Sequence, residues 1–106
     1  MQVLKMKSNR YGIILGYDMR DEVEKGVFEA DVKEEKVKAE EIQVYQRRLN
    51  EADLEGFVVT ARFKIRNYQI KRELKYVKFK GLKYKVNTVY NNINSHYAEI
   101  ELGELV

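Results

Sequence analysis

The chain has 106 residues, 44% hydrophobic and 35% charged, which is single-domain size with too little length for two separate cores and too much apolar content for intrinsic disorder. It has no Cys, which excludes a disulfide framework and thiolate metal sites; no run nears the roughly 18 apolar residues of a membrane span, and the opening MQVLKMKSNR lacks the apolar core of a secretory signal. The formal net charge of +3 hides two opposed segments, with eight acids against three bases over residues 18–35 and seven bases against Glu73 alone over residues 71–85. Such segments serve either head-to-tail association of identical subunits or two solvated faces.

Taken in chain order, the first element is the apolar run YGIILGY at residues 11–17, short and bounded by polar residues as a buried strand is. The acidic residues 18–26, closing on Gly26, read as a surface loop. A strand over residues 27–32 places Phe28, Ala30 and Val32 on its apolar side. Residues 36–49 support two readings. Ile42, Tyr45, Leu49 and Ala52 fall at helical spacing, with Gly56 as a C-terminal stop, whereas Ile42 and Val44 fit a strand.

From Phe57 the alternation is plain, with Phe57, Val59, Ala61, Phe63 and Ile65 inward and Thr60, Arg62, Lys64 and Arg66 outward. Residues 76–86 predict a hairpin turning at Lys80-Gly81. That turn opposes Phe79 to Leu82 and Val77 to Tyr84, gathers Val77, Phe79, Leu82, Tyr84 and Val86 on one face, and turns Lys78, Lys83 and Lys85 to the other. The last strand, residues 96–102, sends Ala98, Ile100 and Leu102 inward. Its outward Glu99 and Glu101 are expected to pair with hairpin lysines. The fold class that follows is mainly β, a small antiparallel β-barrel or sandwich in one domain over residues 1–106, with a single helix or long loop near residues 36–55. Proline is absent, so sheet edges must be protected by charge, closure or a partner.

Nothing spells out catalysis. His96 is the only histidine, Asp18, Asp21 and Glu22 lack the spacing of a calcium loop, and Gly12 and Gly16 make no phosphate fingerprint. No enzyme activity, cofactor or metal is expected. The strongest candidate site is the basic hairpin, where Lys75, Lys78, Lys83 and Lys85, with Tyr76 on the same outer face, offer cations to phosphates and a ring to a base. The competing reading is an edge hairpin kept from aggregating by its lysines.

Three passages, FVVTARFKIRNY at residues 57–68, YVKFKGLKYKVNTVY at 76–90 and HYAEIELGEL at 96–105, resemble in order and pattern the phage head-tail joining proteins of the head completion or stopper group. Gly81, Tyr84, Val86, Val89 and Leu102-Gly103 carry the likeness, which covers about half of the chain. The resemblance implies a virion protein assembled in the host cytoplasm. It further implies a homo-oligomeric ring between the portal-adaptor complex and the tail, built from subunits that are monomers until their neighbours are present. DNA would pass nearby with weak or no direct binding. In that setting Asp18, Asp21, Glu22 and Glu24 would face a neighbouring subunit or the channel, where negative charge keeps DNA from adhering.

Overall fold

The computed structural model describes residues 9–20, 31–91 and 95–106. Six antiparallel strands close a barrel: β1 (Arg10–Asp18), β2 (Val32–Ile42), β3 (Ala61–Arg66), β4 (Leu74–Phe79), β5 (Leu82–Asn91) and β6 (Tyr97–Leu105). Their order around the barrel is β1-β2-β3-β6-β5-β4, with β4 returning to β1. One helix, α1 (Gln46–Glu55), links β2 to β3, and a single 3-10 turn (Asn67–Gln69) begins the crossing from β3 to β4.

A six-stranded barrel has an interior that side chains alone can fill, and the alternating residues supply it. Ile13, Leu15, Val37, Ala39, Phe63, Ile65, Val77, Ile100 and Leu102 are all buried in one cluster. Phe79 packs edge-on against Phe63 at 4.8 Å and against Tyr11 at 5.3 Å between ring centroids. One end is closed by Tyr17, whose hydroxyl donates to the Gln69 carbonyl, and by an ion pair of 3.0 Å between Lys71 and Glu35. Every buried position here was an apolar position of an alternating segment except Tyr17's polar tip, which finds a backbone partner as a buried phenol must.

The predicted hairpin has its expected register, with Phe79 opposite Leu82 and Val77 opposite Tyr84. Lys80 and Gly81 both adopt positive φ, 52° and 78°, the pairing that matches the right-handed twist of the two strands. Leu82 lies on the core-facing side but at the barrel's end, where it stays half exposed.

Residues 36–55 resolve into neither of the two alternatives alone. β2 runs through Ile42 because Val37 and Ala39 alternate into the core, and the helix starts only at Gln46. Ile42, Tyr45, Leu49 and Ala52 therefore never share one helical face. Tyr45 is the N-cap and 70% exposed, and Ala52 is the helix's buried residue. Gly56 does end the helix, in a left-handed conformation at φ 77°, with its N–H and that of Phe57 returned to the last turn. The strand expected from Phe57 begins at Ala61. Residues 57–60 instead carry the chain from the helix to the barrel, where the Thr60 N–H bonds the Leu102 carbonyl. The strand expected over residues 27–32 falls outside the described residues except for its last two positions.

β2 meets β3 through only three residue pairs, Glu40 with Lys64, Glu41 with Phe63 and Ile42 with Arg62. Beyond Glu40 the two strands diverge, and the rest of β2 has no strand neighbour on that side among the described residues. Its side chains there include Lys33, Glu34, Glu35, Lys36 and Lys38, charges that oppose edge-to-edge pairing in a chain without proline.

Candidate interaction surface

The two oppositely charged segments of the sequence meet within the molecule. β4 and β2 flank β1, and Gly16 of β1 stands directly between Glu34 and Tyr76. The absence of a side chain at Gly16 lets the Tyr76 ring lie across β1: a Cβ on Gly16 would fall 2.6 Å from Cε1 and Cζ of that ring. The Tyr76 hydroxyl then reaches the Glu34 carboxylate, which also binds Lys78 Nζ at 2.8 Å. Burial, and then the bond to Glu34, push the Tyr76 phenol up to about 12, while Lys78 first and Tyr76 second hold the Glu34 carboxyl below its ordinary range.

This arrangement determines the state of the candidate hairpin. Lys75 pairs with Asp31 at 3.5 Å, Lys78 with Glu34, and Lys83 stands 4.2 Å from the centre of the Tyr76 ring. Only Lys85 of the four is exposed with no ion-pair partner among the described residues. Tyr76 is on the outer face as expected, yet it is buried under these contacts and has no free ring face for a base. Of the acidic candidates, Asp18 ends β1 and is bound by Arg20, which lowers its carboxyl; Asp21, Glu22 and Glu24 lie outside the described residues. His96 is exposed in the turn before β6.

Glu101 departs from the expected pairing with hairpin lysines. It is on the outer side of β6 but has no exposed surface, because α1 covers it. Arg48 of α1 grips it at two points, Nε to Oε1 at 2.8 Å and Nη2 to Oε2 at 2.9 Å, and Asn87 Nδ2 approaches Oε2 at 3.2 Å. Asn87 is available because β5 shifts register between Val86 and Thr88, opposite Glu101. The guanidinium also stands 4.8 Å from the centre of the Phe57 ring. Arg48 therefore holds the Glu101 carboxyl below its ordinary range against the opposing effect of burial. Glu99 pairs with Arg62 of β3 at 3.0 Å rather than with a lysine of the hairpin. A helix packing on the outside of a strand was not legible from the alternation of β6, which marks Glu101 only as pointing away from the core.

A second collection of cations lies elsewhere, at the β2–β3 divergence. A cleft of about 210 Å³ there is bordered by Arg10, Lys38, Lys64 and Arg66, with Glu40 its one carboxylate and Tyr97 at its edge. Lys64 and Arg66 stand 4.3 and 4.6 Å from the centre of the Tyr97 ring, and Arg62 stands 4.3 Å from that of Tyr90. The sequence did contain a signal for this surface. Three of the outward positions of the FVVTARFKIRNY strand, Arg62, Lys64 and Arg66, are cations. What it could not supply was Lys38 and Arg10 beside them.

Among the described residues no cluster of His, Asp or Glu has the makings of a metal site, and no helix is long and apolar enough to cross a membrane. No protein-family model, curated protein or solved structure matches the chain.

Proposed function

We propose that this barrel is a structural, non-enzymatic subunit of a phage or prophage head-tail connector, of the head completion or stopper kind, acting as a ring between the portal-adaptor complex and the tail. The observation that carries the proposal is an apolar rim at one end of the barrel. Leu82, Leu105 and Val106 are 49%, 57% and 77% exposed. Leu105 is opposite Tyr84, two residues from Leu82 on the same face, and the Val106 N–H bonds the Lys83 carbonyl, so the backbone gathers the three positions at one end of the hairpin. Exposed apolar side chains gathered at one end of a small domain favour a protein partner. The passages that resemble the head-tail joining group supply the strands that build this end, β4, β5 and β6.

The same geometry changes how the subunits would associate. Glu34, Glu35 and Asp31 already neutralise Lys78, Lys71 and Lys75 within one chain, so acid-to-base contact between subunits has less charge to draw on than the sequence offered. Apolar contact through the rim becomes the better account. The hairpin version of a nucleic-acid-binding function loses support for the same reason.

The test is assembly of particles with Leu82→Ser/Leu105→Ser in place of the native chain. The expected result is a chain that still folds cooperatively, with loss of tail joining and of co-purification with portal or tail components. Normal tail joining by the folded variant would sink the proposal. Replacing Asp21, Glu22 and Glu24 with Ala tests the separate expectation that those acids line a channel or contact a neighbour.

A further inference from the structure

We infer that the cleft at the β2–β3 divergence binds the phosphate backbone of duplex nucleic acid, weakly and without regard to sequence, through Lys38, Lys64 and Arg66. This site is distinct from the basic hairpin and does not rest on the connector proposal.

Three observations converge on it. First, the cations are brought together by the fold. Lys38 extends from β2 past the last β2–β3 pair, and Lys64 and Arg66 share the outer side of β3, two residues and hence about 6.8 Å apart. Lys38, Lys64 and Arg66 face one carboxylate, Glu40, so these three keep a positive excess, whereas Lys75 and Lys78 of the hairpin each have an acid to themselves. Second, two of the three cations, Lys64 and Arg66, are held in place before any ligand arrives. Tyr97 lies under both Lys64 and Arg66, and a cation resting on a ring loses less side-chain freedom when it takes a phosphate.

Third, what surrounds the cations selects the ligand. Tyr97, the ring in the cleft's lining, already carries Lys64 and Arg66, so the cleft itself offers no open stacking platform of the kind that grips single-stranded bases. The apolar residues at the cleft, Ala39 and Ile65, are buried. That leaves no hydrophobic centre on which a protein partner could seat itself, as protein interfaces require. Cations in a cleft whose own lining has neither an open ring nor an exposed apolar anchor recognise a backbone, and a duplex presents its phosphates outward while keeping its bases stacked.

The experiment is fluorescence anisotropy of a labelled duplex of about 20 base pairs, titrated with the full chain from about 50 to 200 mM salt. Three phosphate contacts predict a log–log salt slope near −2.7, so affinity falls roughly 40-fold across that range. Lys38→Gln/Lys64→Gln/Arg66→Gln should flatten the slope by about 2.7 and weaken low-salt binding at least about tenfold, while Lys83→Gln/Lys85→Gln stays within about twofold of the native chain. Glu40→Gln removes the cleft's carboxylate and leaves every cation in place; it should tighten binding by about threefold, a gain that misfolding does not produce. Three results would each overturn the inference: no binding at the lowest salt, equal losses from the cleft and hairpin variants, or tighter binding to a single strand of the same length.

Discussion

Arg48 of α1 and Glu101 of β6 form a two-point contact, 2.8 and 2.9 Å, around a carboxylate that no solvent reaches. It fastens the helix to the barrel by charge, and it makes the helix's position depend on a group buried outside the core.

Removing one partner is therefore expected to hurt more than removing both. Arg48→Ala leaves Glu101 buried with Asn87 as its remaining hydrogen-bond partner, and should cost about 3 kcal/mol. Arg48→Met/Glu101→Leu exchanges the pair for apolar contact and should cost less than about 1 kcal/mol. Urea denaturation of the two variants checks the order; equal losses would mean that the pair is not what anchors α1.

The same pair sets an acid limit. The Glu101 carboxyl is lowered in the folded protein by Arg48, so its contribution is present at pH values above its unfolded value of 4.5 and is lost as pH falls through the lower folded value. Stability should decline on acidification below about pH 5, and Glu101→Gln should show a shallower decline. Thermal melts at pH 7 and pH 3 for both proteins give the comparison.

At the alkaline side Tyr76 contributes, as does Tyr17, whose phenol burial also raises. The Tyr76 phenol is raised from 10.0 to about 12 in the fold, so its contribution is whole below pH 10 and is lost as pH rises toward 12. Tyr76→Phe should be less stable at neutral pH by about 1 kcal/mol, through loss of the bond to Glu34, and should lose less on going to pH 11. A spectrophotometric titration of native and variant chains should differ by one late-titrating phenol.

Gly16→Ala brings a methyl carbon to 2.6 Å from the Tyr76 ring. The ring must lift from β1 and release Glu34, for an expected loss of about 1–3 kcal/mol, which is a drop of at least about 4 °C in melting temperature. A melting temperature unchanged from the native chain would mean that Tyr76 does not depend on Gly16.

Lys80 occupies the left-handed region at φ 52° in the turn of the β4–β5 hairpin. Asparagine tolerates that conformation better than lysine. Lys80→Asn should raise stability by about 0.5 kcal/mol despite loss of the contacts of Lys80 Nζ with the Phe79 and Tyr11 rings, seen as a higher urea midpoint.

The sequence by itself determined much of the strands and their inner faces where alternation was uninterrupted, though Phe57 and Val59 continue the pattern ahead of β3 without belonging to it. The hairpin register, the burial of Ala61, Phe63, Ile65, Ala98, Ile100 and Leu102, and the stop at Gly56 all follow from local pattern, because a period of two and a positive-φ turn leave one arrangement that buries the apolar side. Residues 36–55 resisted because a strand and a helix adjoin there, and apolar spacing read across the junction mimics a single helix. What only the tertiary structure decided is which outward-facing charges meet. Gly16 letting Tyr76 reach Glu34, α1 covering Glu101, and Lys38 standing beside Lys64 and Arg66 each join residues far apart in the chain. Local periodicity marks such residues as outside the core, but their partners are set by strand order and by where the helix lands.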